Sequence, residues 1–128
     1  MPDLKTKAVS LLGSTSAVDM YGTTKTILYT VPVGKTAYVT EVIVRDPSAS
    51  LAGGTSYAFG TGASADTWMT AVSLALVVTA STGFTIIRPT SGALLVESAA
   101  SSEFGIKATT GSTANPCTAT IDVFGYLV

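Results

Sequence analysis

Apolar residues along this chain fall in short runs that alternate with polar ones, broken every eight to fifteen positions by Gly, Ser, Asn or Pro. Residues 25–31 set Ile27, Tyr29 and Val31 against Thr26, Leu28 and Thr30, the period of a half-buried strand. Pro32 lacks an N–H and Gly34 tolerates positive φ, so residues 31–34 predict a turn. Residues 35–45 form the longest strand candidate. There Val39 and Ile43 alternate with Val42 and Val44, which predicts a strand partly covered on both faces.

The same reading extends over the rest of the chain. Residues 7–12 predict a short strand and residues 13–16 (Gly-Ser-Thr-Ser) a loop, while residues 17–21 fit no pattern. Residues 55–60 predict a strand, followed by a flexible GTGASAD loop at residues 60–66. Residues 71–79 satisfy a helix or a strand, and their β-branched ending without helix caps favours the strand. Residues 82–88, 93–97, 103–109 and 117–128 predict four more strands. Eight to ten strands without a long helix predict an all-β sandwich and exclude a parallel α/β sheet. The Cys pair around a Trp that marks immunoglobulin domains is absent, so a jelly-roll-like antiparallel sandwich fits best. The predicted organisation is an N-terminal arm or first strand at residues 1–24 and a single sandwich domain at residues 25–128.

Composition narrows the function. Of 128 residues, 47% are apolar and only 12% charged, about half the usual charged share. Ser, Thr, Ala and Gly make up the difference. A neutral polar surface costs little to desolvate when another protein covers it, and it keeps a free monomer soluble less well than charge does. Both effects point to life in an assembly. The seven basic residues are scattered and the net charge is −1, so no stripe tracks phosphates and nucleic-acid binding is not expected. The longest apolar run, residues 74–78, is too short to span a bilayer. Residues 8–12 are too short an apolar region for a signal peptide.

Candidate chemistry is sparse. With no histidine, neither a serine nor a cysteine nucleophile has its base, and the lone Cys117 excludes an internal disulfide. Asp19, Glu41, Glu97 and Glu103 could supply a glycosidase carboxylate pair only if a cleft brought two of them together. Asp46, Asp66 and Asp122 are isolated, whereas calcium wants several carboxylates close together. The Gly60-Thr61-Gly62 stretch lacks the Gly-Lys-Ser/Thr ending of a phosphate loop. No enzyme activity, metal or cofactor is expected. Trp68 is either a core residue with a satisfied indole N–H or an exposed platform for sugar stacking or an interface. Lys5, Lys7, Val9, Leu11 and Leu12 are candidate protein contacts: either an arm reaching a neighbouring subunit or a frayed end.

TILYTVPVGKTAYVTEVIVRDPS, then YAFGTGASADTWMTAV, then the closing IDVFGYLV together resemble small jelly-roll virion proteins of tailed bacteriophages. That family includes capsid decoration (cement) and head-fibre types, and the resemblance covers roughly residues 25–128. It implies a protein on the capsid surface of the virion, made in the host cytoplasm. Its implied partners are the major capsid protein and two further copies, as a trimer on a local three-fold axis. The alternative it implies is a head-fibre or tail-associated module that binds a receptor or glycan. The family has no catalytic motif to carry over.

Overall fold

The computed structural model describes residues 8–52, 56–78, 80, 82–89, 96–98 and 102–128. Among these residues there are nine strands: β1 (Ser10–Asp19), β2 (Thr26–Thr30), β3 (Ala37–Arg45), β4 (Ser56–Gly60), β5 (Met69–Val72), β6 (Phe84–Ile87), β7 (Val96–Ser98), β8 (Glu103–Thr110) and β9 (Thr118–Leu127). They form two antiparallel sheets, β1-β9-β3-β6 with β7 also on β3, and β2-β8-β4-β5. The pairing is nested. β1 lies on β9, β2 on β8, β3 on β6 and β7, and β4 on β5. The chain is thus one long hairpin that turns between β4 and β5, and its nested pairs alternate between the two sheets. This is jelly-roll-like winding, as the strand count predicted.

Several strands depart from simple alternation, and in each case a bulge is the cause. The expected loop at residues 13–16 is strand: Ser14 pairs with Asp122 and Thr15 with Ile121. Pairing with the long C-terminal strand outweighs the weak β-propensity of these small residues. The irregularity appears as two register shifts, between Leu11 and Gly13 and between Thr15 and Val18, with Ala17 at φ 55°. Residues 10–19 therefore belong to the sandwich as its first strand. In β2 the expected core face is displaced by a shift between Ile27 and Tyr29, so Leu28 is buried and Ile27 is exposed.

The shift between Val39 and Glu41 matters most. It inserts Thr40 as an extra residue and reverses the phase of β3 downstream. Ala37, Val39, Val42 and Val44 are all buried, while Ile43 is only partly covered and lies on the other face. The expected grouping of Val39 with Ile43 is corrected accordingly. The strand expected at residues 71–79 ends at Val72. Beyond it the Val77 amide donates to the Leu74 carbonyl at 3.0 Å, a tight turn that buries Leu74 and Val77 and turns Leu76 outward. Burial three residues apart is what mimicked a continuous apolar run. Of the strand expected at residues 93–97, positions 93–95 lie outside the described residues.

The core lies between the sheets. Val18, Val39, Val42, Val44, Ile121 and Val123 come from one sheet, and Leu28, Tyr57, Phe59, Phe104 and Ile106 from the other. Two polar contacts cross it. The Tyr57 hydroxyl donates to the Met20 carbonyl at 2.7 Å, and the Trp68 indole N–H donates to the Val39 carbonyl at 3.1 Å. At one end of the sandwich Gly34, at φ 78°, completes the predicted turn, whose Lys35 amide donates to the Pro32 carbonyl.

Candidate interaction surfaces

Trp68 is a core residue. It is 3% exposed and sits between Phe59 and Phe104 in edge-to-face contact, with ring centroids 6.2 and 5.7 Å away. Its indole N–H is satisfied by the opposite sheet, beside the β3 bulge where the ladder is interrupted. The exposed stacking or interface role is corrected: no ring face is open to a ligand. Lys5 and Lys7 lie outside the described residues. Val9 and Leu11 are 46% and 55% exposed, whereas Leu12 packs against the core. The candidate contact group thus divides, with Leu11 outward and Leu12 inward across the first bulge of β1.

The cross-strand registers define the outer face of the β1-β9-β3-β6 sheet, since residues directly opposite share a face. One row runs Glu41, Phe124, Leu11, with Arg88 reaching Glu41 from the end of β6 at 3.0 Å. The next runs Ile86, Ile43, Asp122, Ser14, and a third runs Phe84, Arg45, Thr120. Tyr38 and Tyr126 pair beyond them. Phe84 and Ile86 are 67% and 44% exposed. None of Leu11, Tyr38, Ile43, Phe84, Ile86, Phe124 or Tyr126 joins the core. The bulge at Thr40 is what directs Glu41, Ile43 and Arg45 to this side.

Charges on this face are paired within it. The Ser14 hydroxyl donates to Asp122 Oδ1 at 2.6 Å, and Arg45 Nε donates to Asp122 Oδ2 at 2.9 Å. Arg45 also donates to Asp46 at 2.6 Å. Burial pushes the Asp122 carboxyl upward, but the hydrogen bonds from Arg45 and Ser14 and the guanidinium charge outweigh it, leaving the group below its ordinary value. A face rich in Phe, Tyr, Ile and Arg whose ions already have partners has the composition of a protein interface centre.

A second apolar surface lies at one end of the sandwich. There the loops after β1, β3, β5 and β8 are tied together by backbone bonds: Met20 to Cys117, Ser112 to Met20, Ser48 to Thr118, and Leu51 to Val77. Tyr21, Leu76 and Val78 project from this end, 46%, 93% and 52% exposed. Tyr57 lies beneath it, where burial above all raises its hydroxyl to about 12.

The carboxylates do not converge. Asp19 accepts from the Tyr21 and Gly22 amides, Glu41 faces Arg88, and Glu103 is exposed at the start of β8. The side chain of Glu97 lies outside the described residues. Among the described residues no pocket opens and no cluster of three potential metal ligands occurs.

No family model and no curated protein matches the sequence. In structure the chain is similar to one in the cyanophage Pam1 capsid asymmetric unit, at 19% identity and a TM-score of 0.57, over 94% of this chain and 84% of that one. At that identity the likeness establishes a shared all-β fold.

Proposed function

We propose that this protein is a structural component of a phage virion, decorating and cementing the assembled capsid without catalysing a reaction. The observation that carries this reading is the outer face of the β1-β9-β3-β6 sheet. It places Leu11, Phe84, Ile86 and Phe124 beside Arg45 and Glu41, whose charges are already matched by Asp122, Asp46 and Arg88. Covering such a face removes apolar area from water and strands no ion. The loop end with Tyr21, Leu76 and Val78 gives a second contact, suited to the shell itself. The fold shared with a chain of a cyanophage capsid supports the same reading. The proposed partners are the major capsid protein and further copies of this chain, three around a local three-fold position.

Cementing follows from linkage. A ligand that binds the assembled shell and not free subunits stabilises the shell by about 2.7 kcal/mol per site at a hundred times its dissociation constant. The test is cosedimentation of purified protein with assembled heads of its phage and, separately, with unassembled capsid subunits. Binding to heads alone, with a rise in their disruption temperature, is the expected result. A protein that elutes as a monomer and leaves heads untouched overturns the proposal. The glycan-binding alternative loses its motivating residue with Trp68 inside the core.

A further inference from the structure

The outer face described above has a symmetry of its own. Along β3, Glu41 and Arg45 flank Ile43 at equal spacing, and each has a neighbour on the β6 side: Arg88 beside Glu41, Phe84 beside Arg45. A two-fold axis running just outside this face, parallel to the sheet and perpendicular to the strands, over the Ile86–Ile43 row, exchanges these two rows. Arg45 of one copy then lies over the partner's Glu41, and Arg88 over the partner's Phe84, where a cation meets an aromatic ring. Ile43 and Ile86 meet their own equivalents at the centre. Asp122 would face its counterpart, but it is 8% exposed and already bonded to Ser14 and Arg45, so it presents little free charge.

From this complementarity we infer that the β1-β9-β3-β6 face is an isologous contact, taking a second copy of this chain face to face about Ile43. A patch that presents equal numbers of opposite charges in exchanged positions fits itself, and an isologous contact requires that self-match. Its size sets its strength. Four strands about 4.8 Å apart and eight residues at about 3.4 Å each cover roughly 500 Å² per copy. A stable free dimer needs about 800 Å² on each side. The pairing is therefore weak between free molecules and becomes effective when other contacts hold copies at high local concentration. Resting on the cement reading, this contact would join neighbouring three-copy units across local two-folds and spread the load between them.

The experiment is oxidative crosslinking of the free protein. Ile43→Cys places a thiol on the axis, and Val33→Cys provides a control thiol on a turn at the end of the sandwich, where Val33 is 85% exposed. The native Cys117 is fully buried and contributes no background. The Ile43→Cys protein is expected to form disulfide-linked dimer about tenfold faster than the Val33→Cys protein despite its lower exposure, through the raised local concentration of facing thiols. Adding Glu41→Arg sets like charges opposite each other and should return the rate to the control level. Equal rates at the two positions overturn the inference. Should Ile43→Cys fold poorly, concentration-dependent sedimentation of wild type against Glu41→Arg gives the same decision, and equal association refutes it. Because no shell is needed, failure here is distinct from failure of head binding.

Discussion

Replacing Trp68 tests how the two sheets are joined. The ring is 3% exposed, touches Phe59 and Phe104, and donates its N–H to the Val39 carbonyl of the other sheet at 3.1 Å. Trp68→Phe keeps an aromatic ring between those neighbours but removes the hydrogen bond to that carbonyl and part of the buried ring, at a cost of about 1–3 kcal/mol. Trp68→Ala removes the ring as well and should cost about 3–5 kcal/mol. With a urea slope of about 1–3 kcal/mol per molar, the Phe variant should lose roughly 1 M in midpoint and the Ala variant roughly 2 M. Circular dichroism follows both variants, and the single tryptophan of the wild type adds an independent readout. Its native emission should resist acrylamide quenching and become accessible only on unfolding. The reasoning fails if Trp68→Phe unfolds within about 0.5 kcal/mol of wild type, the range of an ordinary surface substitution. Ready quenching in the native protein would refute it equally.

The folded Tyr57 hydroxyl lies at about 12 against about 10 unfolded, so the stability it confers is complete below pH 10 and lost as pH rises through 12. Tyr57→Phe should cost about 0.5–1.5 kcal/mol and blunt the alkaline part of a pH-stability profile. Asp122 is held below its ordinary value, so its contribution is present above about pH 4 and lost as pH falls through the folded value. Asp122→Ala should lower stability at neutral pH by about 1–3 kcal/mol and flatten the acid limb. Gly60 sits at φ 151° with the Thr67 amide nitrogen only 2.5 Å from where a Cβ would be, so Gly60→Ala should cost at least about 1–3 kcal/mol. Faster hydrogen exchange at the Trp68 amide, which donates to Phe59, should accompany it. Deleting Thr40 removes the extra residue of the β3 bulge and leaves Val39, Val42 and Val44 inward and Glu41, Ile43 and Arg45 outward in simple alternation, so circular dichroism should show a folded protein, as for Thr40→Val.

The architecture was legible because its signals are local. Pro32 and Gly34 end one strand, Asp46 and Pro47 another, and no stretch carries helix caps, so strand number and class follow from short windows of sequence. Which residues face inward was less legible, because a bulge leaves no local mark. Nothing in Tyr-Val-Thr-Glu-Val says that Thr40 is unpaired; only alignment against the continuous strand from Thr118 to Leu127 requires it. In the same way Gly13–Ser16 has loop composition and becomes strand because β9 supplies a partner. The turn at Leu74 and Val77 was hidden for the opposite reason: both ends of the turn are apolar and buried. The interaction face was invisible as a unit, because its residues come from four strands spread between Leu11 and Tyr126.

The core and the outer face have a common origin in the Thr40 bulge. In a regular strand Val39 inside would require Glu41, Ile43 and Arg45 inside as well, with Val42 and Val44 in water. One extra residue inverts that arrangement. It sends two valines to the core, brings Arg45 beside Asp122, and sets Glu41, Ile43 and Arg45 in the spacing that lets the face match itself. The same interruption lies beside the Val39 carbonyl that Trp68 uses to tie the sheets together. Deleting Thr40 would therefore keep each side chain on its present face and change only the interruption beside the Val39 carbonyl, while Glu41→Arg would change the surface alone. Comparing those two variants separates what the strand does for stability from what it does for association.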